Sequence, residues 1–262
     1  MKKNEIHFYY YSGTGNTLLV VREMAQTFEE SGLKVTLYRI ETTDPAAVRT
    51  NATIGLAFPV AFQSTFPFLW NFFRNLPVGR GTEIFMVDTM AAFSGAIVGP
   101  LKKILQKKRY HCLGAKEICM PNNWFPRKIN AGKNAQKRKT GMAQARKYAL
   151  DLISGKSRWH RVPLLPDLFF LLCCNPFMMK KINTAPGKNI TVNKDKCTGC
   201  GLCRQLCPVE NITLNTFPQW SDHCETCMRC LCFCPVDAIH IPGKTFMPYR
   251  TVKAGELMKD PH

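Results

Sequence analysis

The feature that most constrains this chain is a cysteine pattern that occurs twice in its last third. Nine of the 13 cysteines lie between residues 197 and 234, and a shift of 27 residues superimposes one copy of the pattern on the other. Both copies read C-x2-C-x2-C-x3-C-P; the first comprises Cys197, Cys200, Cys203, Cys207 and Pro208, and the second Cys224, Cys227, Cys230, Cys234 and Pro235. Two copies of one small unit, each expected to end in a short strand at residues 211–214 or 238–241, predict a pseudo-two-fold module.

Iron-sulfur chemistry accounts for this spacing. Three closely spaced thiolates can wrap one [4Fe–4S] cube in a single loop, and the fourth iron then needs a thiolate from elsewhere in the chain. We therefore assign one cluster to Cys197, Cys200, Cys203 and Cys234, and the other to Cys224, Cys227, Cys230 and Cys207. Two interleaved all-cysteine zinc sites are the alternative, but zinc motifs favour separated C-x2-C pairs over a triplet closed by C-P.

The use of cysteine and the start of the chain favour a protein of the reducing cytoplasm. Cys112, Cys119 and Cys232 are interpreted as packed residues, because eight other thiols already complete both clusters. Cysteines in metal-ligand spacing are typical of a reducing cytosol rather than of a disulfide framework. The apolar run at residues 6–11 is short and aromatic and does not fit a cleavable signal, so we expect a cytoplasmic protein.

The first 155 residues alternate short apolar, β-rich runs with helical stretches. Strands are predicted at residues 6–11, 35–40, 53–58, 84–87 and 116–120, and the clearest helices at 18–30, 66–76, 98–108 and 143–153. This alternation predicts an α/β fold with a doubly wound, five-stranded parallel sheet. Ligands of such sheets bind at the carboxyl ends of the strands, which here follow Tyr11, Phe58, Asp88 and Met120.

The loop after the first predicted strand has the composition of a phosphate site. It reads Ser12-Gly13-Thr14-Gly15-Asn16-Thr17 and leads directly into a helix. Its glycines let backbone amides converge, its hydroxyls can donate hydrogen bonds, and the helix N-terminus favours an anion. It lacks the lysine of a nucleoside-triphosphate loop and the G-x-G-x-x-G order of a dinucleotide site. A plain strand-to-helix turn with an N-cap is the alternative.

Two resemblances follow from these motifs. The cysteine module closely resembles the two-cluster bacterial-type ferredoxins over residues 190–242, which implies low-potential, one-electron transfer. The glycine loop matches the [ST]-x-T-G-x-T loop by which flavodoxins hold the FMN phosphate, and the order of elements over residues 4–155 is similar to a flavodoxin. The pair resembles a family of flavodoxin-like/ferredoxin fusion proteins of anaerobic metabolism, and this resemblance covers nearly the whole chain.

The flavodoxin resemblance implies where an FMN ring would lie. Two loops should flank it: Pro59, Val60, Ala61 and Phe62 after the third strand, and Thr89, Met90, Ala91, Ala92, Phe93, Ser94 and Gly95 after the fourth. Flavodoxins commonly stack Trp and Tyr on the ring, whereas this chain offers Phe62, Phe93 and Trp124. The pattern therefore predicts the phosphate site more specifically than the ring site.

Composition shifts divide the chain into four parts. We predict a flavodoxin-like FMN-binding domain at 1–155, a Pro-containing apolar connector at 156–189, a ferredoxin domain with two [4Fe–4S] clusters at 190–242, and a C-terminal tail at 243–262. The apolar stretch of the connector, residues 168–179, is shorter than the ~20 residues of a membrane-spanning helix. It is expected to pack between the domains or to lie on a membrane surface or partner.

The distribution of charge and the absence of an acid/base constellation reduce the number of functions that we expect. The chain has a formal net charge of +18, and residues 127–147 contain eight basic and no acidic side chains. These are interpreted as a solvated face or as a docking site for an acidic redox protein or anionic membrane; few aromatics interleave with them, so nucleic acid is not expected. No His, Asp or Glu grouping forms an acid/base constellation, and no catalytic residue is predicted. Asp88 is expected to be structural.

Three functions stay open from the sequence. The leading one is an electron-transfer protein in which FMN and two clusters link one-electron and two-electron partners. The second is an FMN-dependent reductase of a small molecule bound near Phe62, Phe93 and Trp124. The third is a cluster protein with an empty flavodoxin-like domain.

Overall fold

The computed structural model describes residues 3–61, 63–92, 97–159 and 189–258. Several predicted positions lie outside these ranges, so they stay predictions: Phe62, Phe93, Ser94, Gly95 and the apolar stretch 168–179. Within the described residues, no helix combines the length and apolarity that crossing a membrane would require.

A five-stranded parallel sheet forms the centre of the N-terminal part. Its strands are β1 (Glu5–Tyr10), β2 (Lys34–Arg39), β3 (Thr53–Pro59), β4 (Glu83–Met90) and β5 (His111–Cys119). They are ordered β2-β1-β3-β4-β5, and β1 pairs in parallel with both β2 and β3. This is the flavodoxin-like order, with its switch point between β1 and β3. The predicted fold class is therefore confirmed.

Four helices cover the two faces of the sheet. They are α1 (Asn16–Glu30), α2 (Pro67–Asn75), α3 (Val98–Lys107) and α4 (Ala131–Ile153). Buried residues of α1 and α4 share one core with β1 and β4, while α2 and α3 pack into a second core on the opposite face. Helix α4 begins earlier than the predicted residue 143. Its first turns carry no apolar stripe, but the Asn130 side chain caps them by accepting a hydrogen bond from the Lys133 amide at 2.9 Å.

The cysteine-rich part is a small α+β unit with crossed strand pairing. Its elements are β6 (Thr191–Val192), α5 (Leu202–Gln205), β7 (Ile212–Leu214), β8 (Pro218–Trp220), α6 (Arg229–Phe233) and β9 (Ile239–His240). β6 pairs with β9, and β7 pairs with β8, both antiparallel. The strand before each cysteine run therefore pairs with the strand that ends the other run. This pairing is the pseudo-two-fold arrangement that the 27-residue repeat predicts.

The C-terminal residues return to the N-terminal part, which the sequence did not indicate. The Thr251 amide donates to the Thr14 carbonyl at 3.0 Å, and α7 (Ala254–Met258) contributes Glu256 to an ion pair with Arg22 of α1. The tail thus packs on the back of the glycine loop and the first turns of α1.

Candidate cofactor sites

Hydrogen bonds within the protein fix the glycine loop. The Ser12 hydroxyl accepts from the amides of Gly15 and Leu18 at 3.2 and 3.3 Å, so this side chain caps α1 from inside the loop. The Thr14 hydroxyl accepts from Asn123 Nδ2 at 2.9 Å. The hydroxyls of Ser12 and Thr14 act as acceptors in these contacts, and each keeps its hydrogen for a further bond.

Backbone amides of the same loop supply further donors. Among the described residues, none accepts a hydrogen bond from the N–H groups of Gly13, Thr14, Asn16 or Thr17. Free amides at the start of a helix, together with the helix dipole, form a ready anion site. The loop therefore fits the phosphate of FMN, held by fixed dipoles rather than by a cationic side chain.

The loop opens into a cavity of about 330 Å³, at the lower end of the range for ligand pockets. The cavity collects most of the predicted site residues that the structure describes, namely Ser12, Gly13, Thr14, Asn16, Thr17, Pro59, Val60, Ala61, Thr89, Met90, Ala91 and Ala92. The loop after β5 adds Met120 and the segment 121–124. Sequence reasoning missed Gln63 and Asn123, and it missed the three residues 226–228 from the second cysteine motif.

The two glycines of the loop face different neighbours. A Cβ on Gly13 would lie 3.1 Å from the Cys227 carbonyl oxygen, so the cysteine-rich part closely approaches this glycine. Gly15 does not line the cavity; it has a φ of +112°, and a Cβ there would collide with Thr251 and come within 2.9 Å of Val252. The requirement for glycine at position 15 therefore comes from the backbone and the tail rather than from close approach to a phosphate.

Two small cavities divide the eight motif cysteines into two sets. One is lined by Cys197, Cys200, Cys203 and Cys234, and the other by Cys207, Cys224, Cys227 and Cys230. Each cavity thus gathers three thiols from one repeat and the fourth from the other, which is the donor set that a [4Fe–4S] cube needs. Among the described residues, no three His, Cys, Asp or Glu side chains converge as ligands of a single metal ion would.

Local chemistry of these thiols fits a cluster. Burial raises the pKa of Cys224 to about 11 and holds the pKa of Cys230 well above the usual thiol value, so a bare thiolate there would be costly. Bound iron would supply the compensating positive charge. The amides of Asn211 and Ala238, at equivalent repeat positions, donate to Cys207 Sγ at 3.2 Å and Cys234 Sγ at 3.3 Å. Such bonds to sulfur tune a cluster's reduction potential.

A buried arginine joins the second cysteine motif to the glycine loop. Nε and one terminal nitrogen of Arg229 donate to the Ser12 carbonyl at 3.0 and 2.8 Å, and the same terminal nitrogen lies 2.6 Å from Glu41 Oε1. The guanidinium lies 4.5 Å from the centre of the Tyr11 ring. Burial disfavours the charged form, but Tyr11 and Glu41 outweigh it and raise the pKa of Arg229. This residue therefore stays charged at the contact between the two units.

Two further predictions concern residues outside these cavities. Cys232 is buried and lines neither cysteine cavity, which matches its interpretation as a packed residue. Asp88 is completely buried on the face of the sheet that α2 and α3 cover, and neither of its carboxylate oxygens has a hydrogen-bond partner. Burial, and secondarily the charge of Glu117, raise the pKa of Asp88 well above the usual range. Burial in the core therefore favours the neutral form of the Asp88 carboxyl.

Comparison with known protein families supports the description of the cysteine-rich part. The model of the 4Fe-4S binding domain family matches residues 190–213. The chain therefore combines a flavodoxin-like sheet with a 4Fe-4S ferredoxin unit. No curated protein matches the chain.

Among solved structures, flavodoxins resemble the N-terminal part. A short-chain flavodoxin associated with a non-canonical PDU bacterial microcompartment is 15% identical, with a TM-score of 0.45, over 58% of this chain and 99% of that one. The two-electron reduced flavodoxin of Megasphaera elsdenii is 20% identical, with a TM-score of 0.40, over 53% and 98%. These scores are too low to carry an argument, so the flavodoxin-like assignment rests on the strand order of the sheet.

Proposed function

We propose that this chain is an electron-transfer protein that binds FMN and two [4Fe–4S] clusters and links one-electron to two-electron redox partners. FMN exchanges one or two electrons and each cube exchanges one, which is the chemistry these groups supply when bound. The proposed units are residues 1–155 for FMN and 190–242 for the clusters, joined by 156–189 and followed by the tail 243–262.

One observation carries this proposal. Thr226, Cys227 and Met228 line both the cavity at the glycine loop and the cavity of the second cysteine set. A single stretch of backbone therefore separates the proposed flavin site from one proposed cluster site. Two unrelated cofactor sites in one chain would not need a common wall.

The chain's own residues have distinct roles in this proposal. Amides of Gly13, Thr14, Asn16 and Thr17 would hold the FMN phosphate, and the loops after β3, β4 and β5 would enclose the rest of the cofactor. Arg229 holds the Ser12 carbonyl and so keeps the glycine loop against the second cysteine motif. Glu225, two residues before Cys227, accepts a hydrogen bond from the Phe68 amide at 3.1 Å and fixes the same motif to the start of α2.

No described feature of the cavity at the glycine loop favours the alternative function, an FMN-dependent reductase. The volume of this cavity is about 330 Å³, which is near the lower limit for one small-molecule ligand.

The proposal is tested by cofactor analysis of protein prepared without oxygen. We expect about eight iron and eight sulfide per chain, because two four-iron cubes require them, and about one FMN. Stoichiometric zinc without sulfide, in protein matured with ample iron, would exclude the cluster assignment. Iron and sulfide without flavin would leave a cluster protein with an empty flavodoxin-like domain.

Binding of FMN and riboflavin tests the phosphate site directly. FMN should bind at least about tenfold more tightly, because each hydrogen bond to a charged group contributes ~1.5–3 kcal/mol. Thr14→Ala should reduce this preference. Thr27→Ala is the matched control, since the Thr27 hydroxyl donates to the Glu23 carbonyl within α1 and Thr27 does not line the cavity. Equal affinity for FMN and riboflavin would refute the phosphate site.

A further inference from the structure

We call the cavity at the glycine loop the flavin cavity. Of the basic side chains near it, some have acidic partners and others do not. No acidic residue occurs between Glu117 and Asp151, a stretch that contains the loop after β5 and most of α4. Near the end of α4, Arg146 pairs with Glu30 at 2.8 Å and Lys147 with Asp151 at 2.7 Å. The basic side chains just before α4 and in its first two turns lack such acidic partners among the described residues.

We define the basic rim as Arg127, Lys128, Lys133 and Lys137. All four are exposed, and among the described residues none of them has an acidic partner. Unpaired like charges held together repel one another, and a folded domain gains no stability from them. A surface of this kind is explained when a partner of opposite charge supplies the missing pairs.

The basic rim lies beside the mouth of the flavin cavity. Lys137 Nζ donates to the carbonyl of Ala91, which lines that cavity, at 3.2 Å. Lys133 is one helical turn earlier on the same side of α4. Arg127 and Lys128 follow Trp124, another residue of the cavity wall, by three and four positions. The unpaired charges therefore cluster where a flavin would approach the surface.

We propose that the basic rim docks an acidic electron-transfer protein against the flavin cavity, an inference that rests on the proposed redox function. The surface beside the rim also has exposed apolar area, since Met247 is 47% exposed and its amide donates to the Pro126 carbonyl at 2.8 Å. Small apolar contacts surrounded by complementary charge are typical of protein interfaces, where charge increases the association rate and fixes orientation.

A membrane surface fits the basic rim less well. An interfacial helix must insert a free apolar face into the lipid. The apolar side of α4, which includes Ala145, Tyr148, Ala149 and Leu152, is buried in the core of the protein. Nucleic acid is also disfavoured, because the aromatic side chains beside the rim, Trp124, Phe125 and Phe246, contact one another edge to face and do not form a row of parallel stacking faces.

The test is binding of an acidic [2Fe–2S] ferredoxin to the complete protein, measured by calorimetry at low and high ionic strength. Binding should weaken as salt is added. Lys128→Gln/Lys133→Gln should weaken it by roughly 2- to 30-fold at low salt, because each exposed charge pair contributes modestly. Arg146→Gln/Lys147→Gln also removes two positive charges, both from α4, and should leave the affinity unchanged, because those residues already have acidic partners.

Several results would overturn the inference. These are equal affinities of the two double variants, salt-independent binding, equal binding of basic cytochrome c, or tighter binding of anionic vesicles or an oligonucleotide. Iron, sulfide and FMN are quantified in the same samples, so the proposed function is judged separately. Wild type that lacks FMN but binds the ferredoxin through the rim would retain the docking surface and refute the flavin assignment.

Discussion

Replacing Arg229 tests whether the contact between the two units depends on a buried ion pair. The side chains of Arg229 and Glu41 are 4% and 5% exposed, and their closest atoms are 2.6 Å apart. Arg229→Met would remove the charge and its bonds to the carbonyls of Ser12 and Leu206. Glu41 would then be buried without its cation, and its second carboxylate oxygen already has no hydrogen-bond partner.

The expected cost follows from this burial. Breaking a buried pair by removing one partner typically costs ~3–5 kcal/mol, because the remaining charge is uncompensated. For a domain of this size, about 2–4 °C of melting temperature corresponds to each kcal/mol, so Arg229→Met should melt roughly 6–20 °C below wild type. Anaerobic thermal unfolding followed by circular dichroism measures the shift.

A double variant separates this explanation from general disruption. Arg229→Met/Glu41→Leu removes both charges, and apolar replacement of a buried pair is often nearly neutral, so the double variant should recover much of the lost stability. Arg229→Lys should recover less, since lysine cannot make the forked contact with the Ser12 carbonyl. The reasoning is refuted if Arg229→Met melts within about 2 °C of wild type, or if the double variant is less stable than the single variant.

Three further perturbations have distinct expected outcomes. Because the folded pKa of Asp88 is raised, its protonated form contributes stability at low pH that is lost as the pH rises. The difference in melting temperature between Asp88→Asn and wild type should therefore shift in favour of the variant as the pH is raised above about 4. Gly15→Ala should destabilise more than Gly81→Ala in urea unfolding, since both glycines have positive φ but only Gly15 would collide with Thr251; equal losses would contradict this. Cys207→Ser should alter the electron paramagnetic resonance signal of the cluster held by the second repeat, and a change confined to the other cluster would reverse the crossed assignment.

The sheet was predictable because every strand carries its own apolar signal. The alternation alone fits more than one strand order, and the flavodoxin-like order was implied by the resemblance of the glycine loop. The bounds were less predictable at β5, which begins at His111 rather than near residue 116. This edge strand is only half-buried, and its polar residues Lys116 and Glu117 interrupt the apolar run. The first turns of α4 were missed for a related reason, because their side chains are basic and exposed.

The glycine loop was found because glycines and hydroxyls are dense within six residues. Its contacts with Cys227 and Thr251 could not be found in this way, since these residues are more than 200 positions away along the chain and no local pattern reports such a contact. Arg229 did leave a signal. The 27-residue shift aligns it with Leu202, and a charged residue in place of an apolar one marks the position where the two repeats differ in environment.

The same comparison between repeats gives a last prediction about the wall of the flavin cavity. The first motif contains Gly199 and Gly201 at positive φ, of 67° and 74°, whereas the second has Thr226 and Met228 at φ of 51° and 68°. A left-handed conformation costs a non-glycine residue ~1–2 kcal/mol, so the second motif accepts strain that the first avoids.

The side chains of these two strained residues are buried and line the cavity at the glycine loop. They therefore form part of the cavity wall, whereas the glycines of the first motif do not. Thr226→Gly/Met228→Gly should keep full iron and sulfide content, because the backbone conformation of the cysteine loop is preserved, but should bind FMN more weakly because the wall recedes. Gly201→Met is the reciprocal control: it introduces the strain far from the flavin cavity and should lower the melting temperature without changing FMN affinity. If the double glycine variant binds FMN as wild type does, the strain at 226 and 228 has no function in flavin binding, and the common wall would not couple the two sites.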